Sequence, residues 1–596
     1  AGRIDMFRGW FHWVMINSAG QKRMESIVRN FLLVILSLVF ISCDQKEELP
    51  ETPPVSEVKR DLKMIVNARI HTFDGGNTSI IQGAMAFDVT GQIVAIGSND
   101  SIQEDYPGAQ RIDLGGKTVL PGLIDSHGHL HGLAVSYTRA NLVGAASKQE
   151  ALDRLREFEA DLPEGEWLLG RGWDQNDWPE QQFPDRADLD TLFPDRPVWL
   201  RRIDGHAAWA NSVAIAQADT ELTGEWQVEG GHIHRDAAGE PTGIFIDGAM
   251  KYIENVVPET SPELIDSALD IATNTLVSLG LTGVHDPGVG RDIVELYQRK
   301  ISEGALPLRV YAMADGMNET TDWLCSEGTL SDPSGRLIMR SVKLYADGAL
   351  GSRGAALLED YSDEAGNRGL MFISADEMQS ALRKVFSCGL QAGVHAIGDA
   401  ANRLVLDAYE HVLSEYPENA GRHRIEHAQI LDPQDIPRFA QLGVIAAMQP
   451  THATSDMYWA DERLGADRLA GAYAWKSLLD SGAMLAFGSD FPVEEVNPML
   501  GIHAAVTRKD QQGWPEGGWQ AQERISRKEA IRAFTRDAAY AGFMEDHVGS
   551  LEKGKRADFI VLEEDILEIP AEKIPAIRVL QTWVDGKQVF SRESTQ

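Results

Sequence analysis

Cysteine is scarce: Cys43, Cys325 and Cys388 are the three in 596 residues. Three thiols do not make the disulfide framework of a small secreted scaffold. Cys388, inside the run VFSCGL, reads as a small core residue, and Cys325 sits in a polar stretch that carries no signal. Basic residues are also few against acidic ones, 55 to 90, which leaves a formal net charge of −35. That deficit argues against nucleic acid as the main partner, because a phosphate backbone selects positive surfaces. The charge says little about a small substrate, whose pocket need not share the sign of the surface. The apolar run FLLVILSLVFIS, residues 31–42, is too short to span a bilayer comfortably. The stretches GTLSDPSG and GNRG lack the strand-to-helix setting of a phosphate-binding loop, so no nucleotide cofactor is expected.

The N-terminus carries a processing signal rather than a fold. Lys22, Arg23 and Arg29 precede the apolar run, and Cys43 and Asp44 follow it. A basic region, a short apolar region and then cysteine is the layout of a bacterial lipoprotein leader. Met24 is a candidate start. Residues 1–43 are therefore expected to be a leader region, with lipid on Cys43, and residues 44–59 a polar tether rich in Glu and Pro. The catalytic part is expected in the cell envelope, on the periplasmic side, touching the membrane only through that anchor.

Residues 60–118 and 546–596 both alternate in short strands broken by Asp-Gly, Thr-Gly and Gly-Gly turns. These distant pieces are expected to pack as one small β-sandwich. Between them, residues 119–545 repeat a strand followed by a helical stretch. The strands are read at 118–125, 281–286, 308–313, 341–347, 391–398, 423–429, 443–450 and 483–490. Eight such units predict an α/β fold: a (β/α)8 TIM barrel with a discontinuous sandwich. The helical stretches at 262–280 and 375–389 each end at glycine, a C-cap signal. The gap after the first strand is too long for a βα connection, so residues 140–260 must hold an insertion. It is rich in tryptophan, and it reads either as a subdomain with an aromatic core or as a cover lending Trp173, Asp174 and His206 to a substrate pocket.

The chemistry centres on PGLIDSHGHLHG, Pro121 to Gly132. His127 and His129, two apart at a strand end, point the same way and can share a metal ion. His395, His427 and Asp490 fall at the ends of the fifth, sixth and eighth predicted strands, and Lys343 lies in the fourth. Reactive groups gather at those ends in such barrels. One histidine there would be weak evidence; six compatible side chains in element order are strong evidence. Imidazole and carboxylate suit one or two divalent ions, with Zn²⁺ the expected metal. An ammonium cannot bind a cation. Lys343 joins the set only if carboxylated on its amine, which would give two bridging oxygens; otherwise it is a counter-ion to a buried carboxylate. Asp347 and Arg353 follow close behind and are candidates to position substrate. His452, Asp456 and Trp459, after the seventh strand, are candidate pocket residues. His131, His285 and Glu426 are candidates to orient the ligands.

These motifs resemble the amidohydrolase superfamily. The set PGLIDSHGHLHG, GWDQNDW, VKLYADGALGSRGAAL, VHAIGDAAN, HRIEHAQ, GSDFPVEEVNP and KGKRADFIVLE is most similar to its YtcJ-like branch, family 3, which includes N-substituted formamide deformylases. The resemblance covers roughly residues 60–590. It implies that His127 and His129 bind the more buried metal and that Lys343 is the bridging position. It implies that His395 and His427 bind a second metal, and that Asp490 touches metal and the hydrolytic water. The implied activity is metal-dependent hydrolysis of a non-peptide C–N bond in an amide-like small molecule. In that reading Asp490 is the general base, and His206 and Arg353 assist at the substrate. A homodimer is compatible with the resemblance. The alternatives are a cyclic amide or ester hydrolase or a deaminase by the same water attack, or a lipid-anchored solute-binding protein on an inactive scaffold.

Overall fold

The computed structural model describes residues 62–75, 80–203, 205–228, 231–417 and 422–592. The expected leader and tether, with Cys43, lie outside the described residues.

Eight parallel strands form the central ring: β1 (Leu123–Asp125), β2 (Leu281–Val289), β3 (Arg309–Asp315), β4 (Leu337–Tyr345), β5 (Gln391–Ala396), β6 (Arg424–His427), β7 (Ile445–Met448) and β8 (Leu485–Phe487). They pair in that order. Between β8 and β1 the ring nearly closes, because the Ser126 amide donates to the Phe487 carbonyl at 3.0 Å and the Asp490 amide to the His127 carbonyl at 2.7 Å. The strands are apolar almost throughout because one face fills the barrel and the other lies under helices. The fold is thus a (β/α)8 barrel with further sheets attached.

The helices begin and end where local chemistry dictates. The helix Pro262–Ser278 starts at Ser261, whose side chain accepts from the Leu264 amide, and proline opens its first turn. The helix Ala375–Ser387 starts with a reciprocal Ser374–Glu377 capping box. Gly280 and Gly389 follow these helices at φ 89° and 68°, the left-handed position that ends a helix.

The predicted first strand, 118–125, is two strands in the structure. Thr118–Pro121 pairs with Phe559–Leu562 outside the barrel, and β1 begins only after Gly122. A Cβ on Gly122 would meet Thr282 Oγ1 at 2.2 Å, so the chain crosses between sheets at a point where only glycine fits. The outer sheet has eight strands, five from residues 63–121 and three from 559–591. Phe87, Phe559 and Trp583 pack at its centre.

The insertion forms a six-stranded sheet from Ala140–Asn141 to Pro241–Asp247. Five of its six tryptophans fill its own core, and Trp226 is exposed. Trp173 is fully buried and donates to the Leu200 carbonyl at 2.8 Å; Trp178 donates to Ala145 at 3.1 Å and Trp209 to Asp185 at 2.9 Å. Trp173 is therefore a core residue of the insertion and not a pocket wall. A second correction concerns cysteine: Cys325 and Cys388 are joined by a disulfide, with Cα atoms 5.2 Å apart. The bridge links helix Glu319–Glu327 to the end of helix Ala375–Ser387. Pairing across 63 residues depends on which helices are neighbours, which cysteine count alone does not reveal.

Candidate metal centre

The ends of β1 and β8 share one carboxylate. Asp125 accepts the His127 amide at 3.0 Å, the Ser489 amide at 3.1 Å and the Ser489 hydroxyl at 2.7 Å. This sets Asp490 opposite His127. Asp490 and His427 adopt φ 63° and 77°, a conformation that costs a non-glycine residue about 1–3 kcal/mol and persists only where the surroundings impose it. Gly488 is required beside them, since a Cβ there would lie 2.5 Å from both Asp125 Oδ1 and the His127 nitrogen.

His127, His427 and Asp490 are buried and offer ligand atoms that all lie within 4.8 Å of one another. His129 Nε2 is 3.1 Å from Asp490 Oδ1, and His127 Nε2 is 3.7 Å from the same oxygen. The His395 and His427 rings are 4.5 Å apart, centroid to centroid. Lys343 Nζ, on β4, lies 3.4 Å from His127 Nε2. The structure thus brings His127, His129, Lys343, His395, His427 and Asp490 into one chamber at the C-terminal ends of the strands.

The orientation of each ring follows from what its Nδ1 meets. His127 Nδ1 lies 2.5 Å from Glu426 Oε2, His129 Nδ1 lies 3.1 Å from the Pro287 carbonyl, and His427 Nδ1 lies 2.9 Å from Gln449 Oε1. At His127 and His427 the acceptor fixes the proton on Nδ1 and leaves Nε2 bare toward the chamber, while His129 turns its Nε2 to Asp490. Glu426 is itself gripped by Arg424, Nε to Oε1 at 2.7 Å and Nη2 to Oε2 at 2.9 Å. Arg424 also donates to the Ser126 carbonyl and faces His285 Nδ1 at 2.8 Å, so His285 supports the ligands through arginine.

Burial, and then the nearby Lys343, lowers His127 to about 4 and His395 to about 3, so both imidazoles are neutral at ordinary pH. Burial drives His427 well below the usual histidine value as well. Burial also opposes charge on Asp490 and Glu426, yet their partners outweigh it in each: the hydrogen bond from His129, with His127 close by, at Asp490, and the Arg424 guanidinium with the His127 hydrogen bond at Glu426. Both remain carboxylates. Burial lowers Lys343 to about 8. The neutral imidazoles of His127 and His427, with bare Nε2 atoms beside the ionised Asp490, are the donor set of a divalent cation. The buried Nε2 of His395 has no hydrogen-bond partner among the described residues, which fits a group whose remaining bond is to a metal.

The other candidates divide. His452 belongs to the chamber: its Nε2 is 3.6 Å from Asp490 Oδ2, and its Nδ1 lies 2.8 Å from Gln429 Nε2. Trp459 stands over the loop after β4, against Gly351. Asp347 is buried and accepts three backbone amides, from Ile397, Gly398 and Ala356, so it ties the loops after β4 and β5 together and sits 3.6 Å from His395. Arg353 is bound to Asp363 and Glu364 within its own loop. His206 is exposed on the insertion, 2.8 Å from Asp247, and Asp174 caps a short turn through the Asn176 amide. Trp173, as described, is in the insertion core. The sequence reading missed Asp125, Arg424, Gln429 and Gln449. Arg424 had a signal: it lies two residues before Glu426, and so on the same face of a strand.

A family model described as the amidohydrolase family matches residues 110–590. The chain is 35% identical over 510 residues to the Bacillus subtilis (strain 168) chain named for an amidohydrolase, YtcJ, covering 84% of this chain and 95% of that one. It is 29% identical to an N-substituted formamide deformylase of Arthrobacter pascens, over 89% of this chain and 99% of the other. A solved metal-dependent hydrolase of uncharacterized role from Pyrococcus furiosus superposes with a TM-score of 0.70 at 30% identity, covering 85% of this chain and 100% of that chain.

Proposed function

This chain belongs to the amidohydrolase family, and from that premise we propose that it hydrolyses a C–N bond in a small amide or N-substituted formamide. The observation that carries the reading is the buried His127, His427 and Asp490 cluster at the barrel mouth. A formamide-type substrate is supported by the likeness to the deformylase of Arthrobacter pascens.

His127, His129, His427 and Asp490 would hold a divalent ion, with Zn²⁺ favoured by the imidazole–carboxylate set, and bound there it would supply Lewis-acid activation of water and of the scissile carbonyl. The chain's own groups do the rest. Asp490, kept ionised by His129 and His127, orients the attacking water and takes its proton. Gln429 donates to His452 Nδ1, which places the imidazole proton on Nε2, toward the chamber. That N–H is placed to meet negative charge on the carbonyl oxygen. Asp490 then hands its proton to the leaving nitrogen as the C–N bond breaks, giving an acid and an amine.

A second ion would have His395 as its imidazole and would need a further ligand, and Lys343 is the group available. Burial raises its neutral fraction near pH 8, and a neutral amine adds CO₂ with loss of a proton, forming an Nζ–C bond and two ligand oxygens. Labelled bicarbonate giving a carbamate carbon signal, lost in Lys343→Ala, tests that step.

The protein is further proposed to be exported and anchored through Cys43. The leader pattern supports this, and so does the Cys325–Cys388 disulfide, since structural disulfides persist in oxidising compartments. A Cys43→Ser protein that still partitions with membranes overturns the anchor. The acidic surface supports small molecules rather than nucleic acid as partners.

The activity is tested by loading the protein with zinc and assaying a panel of formamides and aryl amides for released amine. The expected result is turnover that stops on chelation and in Asp490→Asn. Full metal occupancy without hydrolysis of any member, or turnover indifferent to chelation, overturns the reading.

A further inference from the structure

A second cavity, of about 380 Å³, lies at the other end of the barrel, beneath the starts of β3 and β4. One wall is the segment after Gly328, part of the GTLSDPSG stretch that has no place in the metal centre. The strands contribute Arg309, Ile338 and Arg340, and the chain after the helix Arg536–Ala541 contributes Phe543, Met544 and Val548.

Arg340 decides what the cavity can hold. Its guanidinium carbon lies 3.6 Å from the centre of the Phe543 ring. Its Nε is buried without a hydrogen-bond partner, and among the described residues it makes no ion pair. The neighbouring cations are matched. Arg309 is held by Asp558 at 2.7 Å and Asp585 at 2.6 Å, and Arg336 by Asp585 at 2.9 Å. Arg556 donates to the Thr90 carbonyl at 2.7 Å and lies 3.8 Å from Asp585. Asp332, the acid on the cavity wall, is turned into its own loop, accepting the Ser334 amide at 2.9 Å and the Arg336 amide at 3.2 Å. Among the described residues Arg340 is left with a flat aromatic partner and no ion-pair partner, in a chain whose net charge is −35.

An unmatched, half-buried guanidinium is an expensive arrangement unless something completes it. Its planar fork matches a carboxylate with two parallel hydrogen bonds. Beside it the lining has an apolar part, Ile338, Phe543, Met544 and Val548, with His547 among them. We propose that this cavity binds a small organic carboxylate, with its anionic head on Arg340 and its apolar body against Phe543 and Met544. The site is separate from the metal centre, although both draw on β4, which carries Arg340 near its start and Lys343 toward its end.

The test is calorimetric titration of the metal-loaded protein with benzoate, and separately with inorganic phosphate. Benzoate is expected to bind saturably, at least about tenfold more weakly in Arg340→Gln, with metal content unchanged. Phe543→Leu is expected to weaken binding less, through loss of the stacked face. Arg340→Lys, which keeps the charge and loses the fork, serves if the glutamine variant does not fold; it too is expected to bind benzoate more weakly than the parent. Absent benzoate binding overturns the proposal. So does equal affinity in every variant, which would place benzoate elsewhere, or Arg340-dependent binding of phosphate without benzoate, which would assign the site to another anion.

Discussion

His127 Nδ1 and Glu426 Oε2 lie 2.5 Å apart with no solvent access to either side chain, and the pair makes the metal ligand His127 dependent on a carboxylate that never touches the metal. Glu426 fixes the His127 tautomer and adds basicity to Nε2. Glu426→Gln is expected to lower metal affinity by about 10–100-fold, read by competition with a chromophoric chelator. Affinity equal to the parent would remove Glu426 from that role. Arg424→Met strands the same carboxylate in the barrel interior, and is expected to cost about 3–5 kcal/mol in chemical denaturation.

The imidazoles of His127, His395 and His427 titrate low, whereas at His129 burial is overcome by the Asp490 hydrogen bond and the value is raised. The three low-titrating rings set the pH range over which the site keeps its metal. A solvent-exposed histidine site starts to lose its ion to protons near the ordinary imidazole pKa of about 6.5. Here His127 is at about 4 and His395 at about 3, because burial disfavours their charged forms. Lowered pKa values mean that protons compete only at lower pH. Metal content after equilibrium dialysis is therefore expected to hold from neutrality down to about pH 5 and to fall below it. Half-loss near pH 6.5 would show that these rings are solvated.

Much of this was legible because barrels obey simple rules. Apolar runs followed by amphipathic stretches marked the eight units, and histidines at strand ends marked the chamber. What stayed hidden depends on partners distant in sequence. Trp173 and His206 lie in motifs that look functional, yet one is a core residue of the insertion and the other is an exposed side chain beside Asp247. Arg353 looked free to meet substrate until the fold supplied Asp363 and Glu364. Asp347 looked like a substrate ligand, and its three backbone amides make it a tie between loops. No spacing rule foretells such pairings, since each is made by chain reversal.

His452 separates catalysis from metal binding. It sits 3.6 Å from Asp490 and, with Nδ1 occupied by Gln429, presents Nε2–H where the carbonyl oxygen of substrate gains charge. His452→Ala is expected to lower kcat by about a hundredfold while leaving metal content intact. Gln429→Leu removes the partner that sets the tautomer and is expected to reproduce part of that loss. A change in KM alone would assign His452 to ground-state binding.

The disulfide makes a prediction on the opposite face. In a βα unit the helix runs back against its strand, so Cys325 and Cys388, late in or just after their helices, lie toward the end of the barrel away from the metal. Its contribution should therefore be to stability and not to chemistry. The bridge closes a loop of 63 residues, for which the chain-entropy model gives about 4 kcal/mol against the unfolded state. The double variant Cys325→Ala, Cys388→Ala is expected to unfold at lower denaturant with kcat and metal content unchanged. Thiol titration of the unreduced, unfolded protein supplies the direct check. If both cysteines react, they are unpaired in the isolated protein, and the support the bridge lends to export is withdrawn.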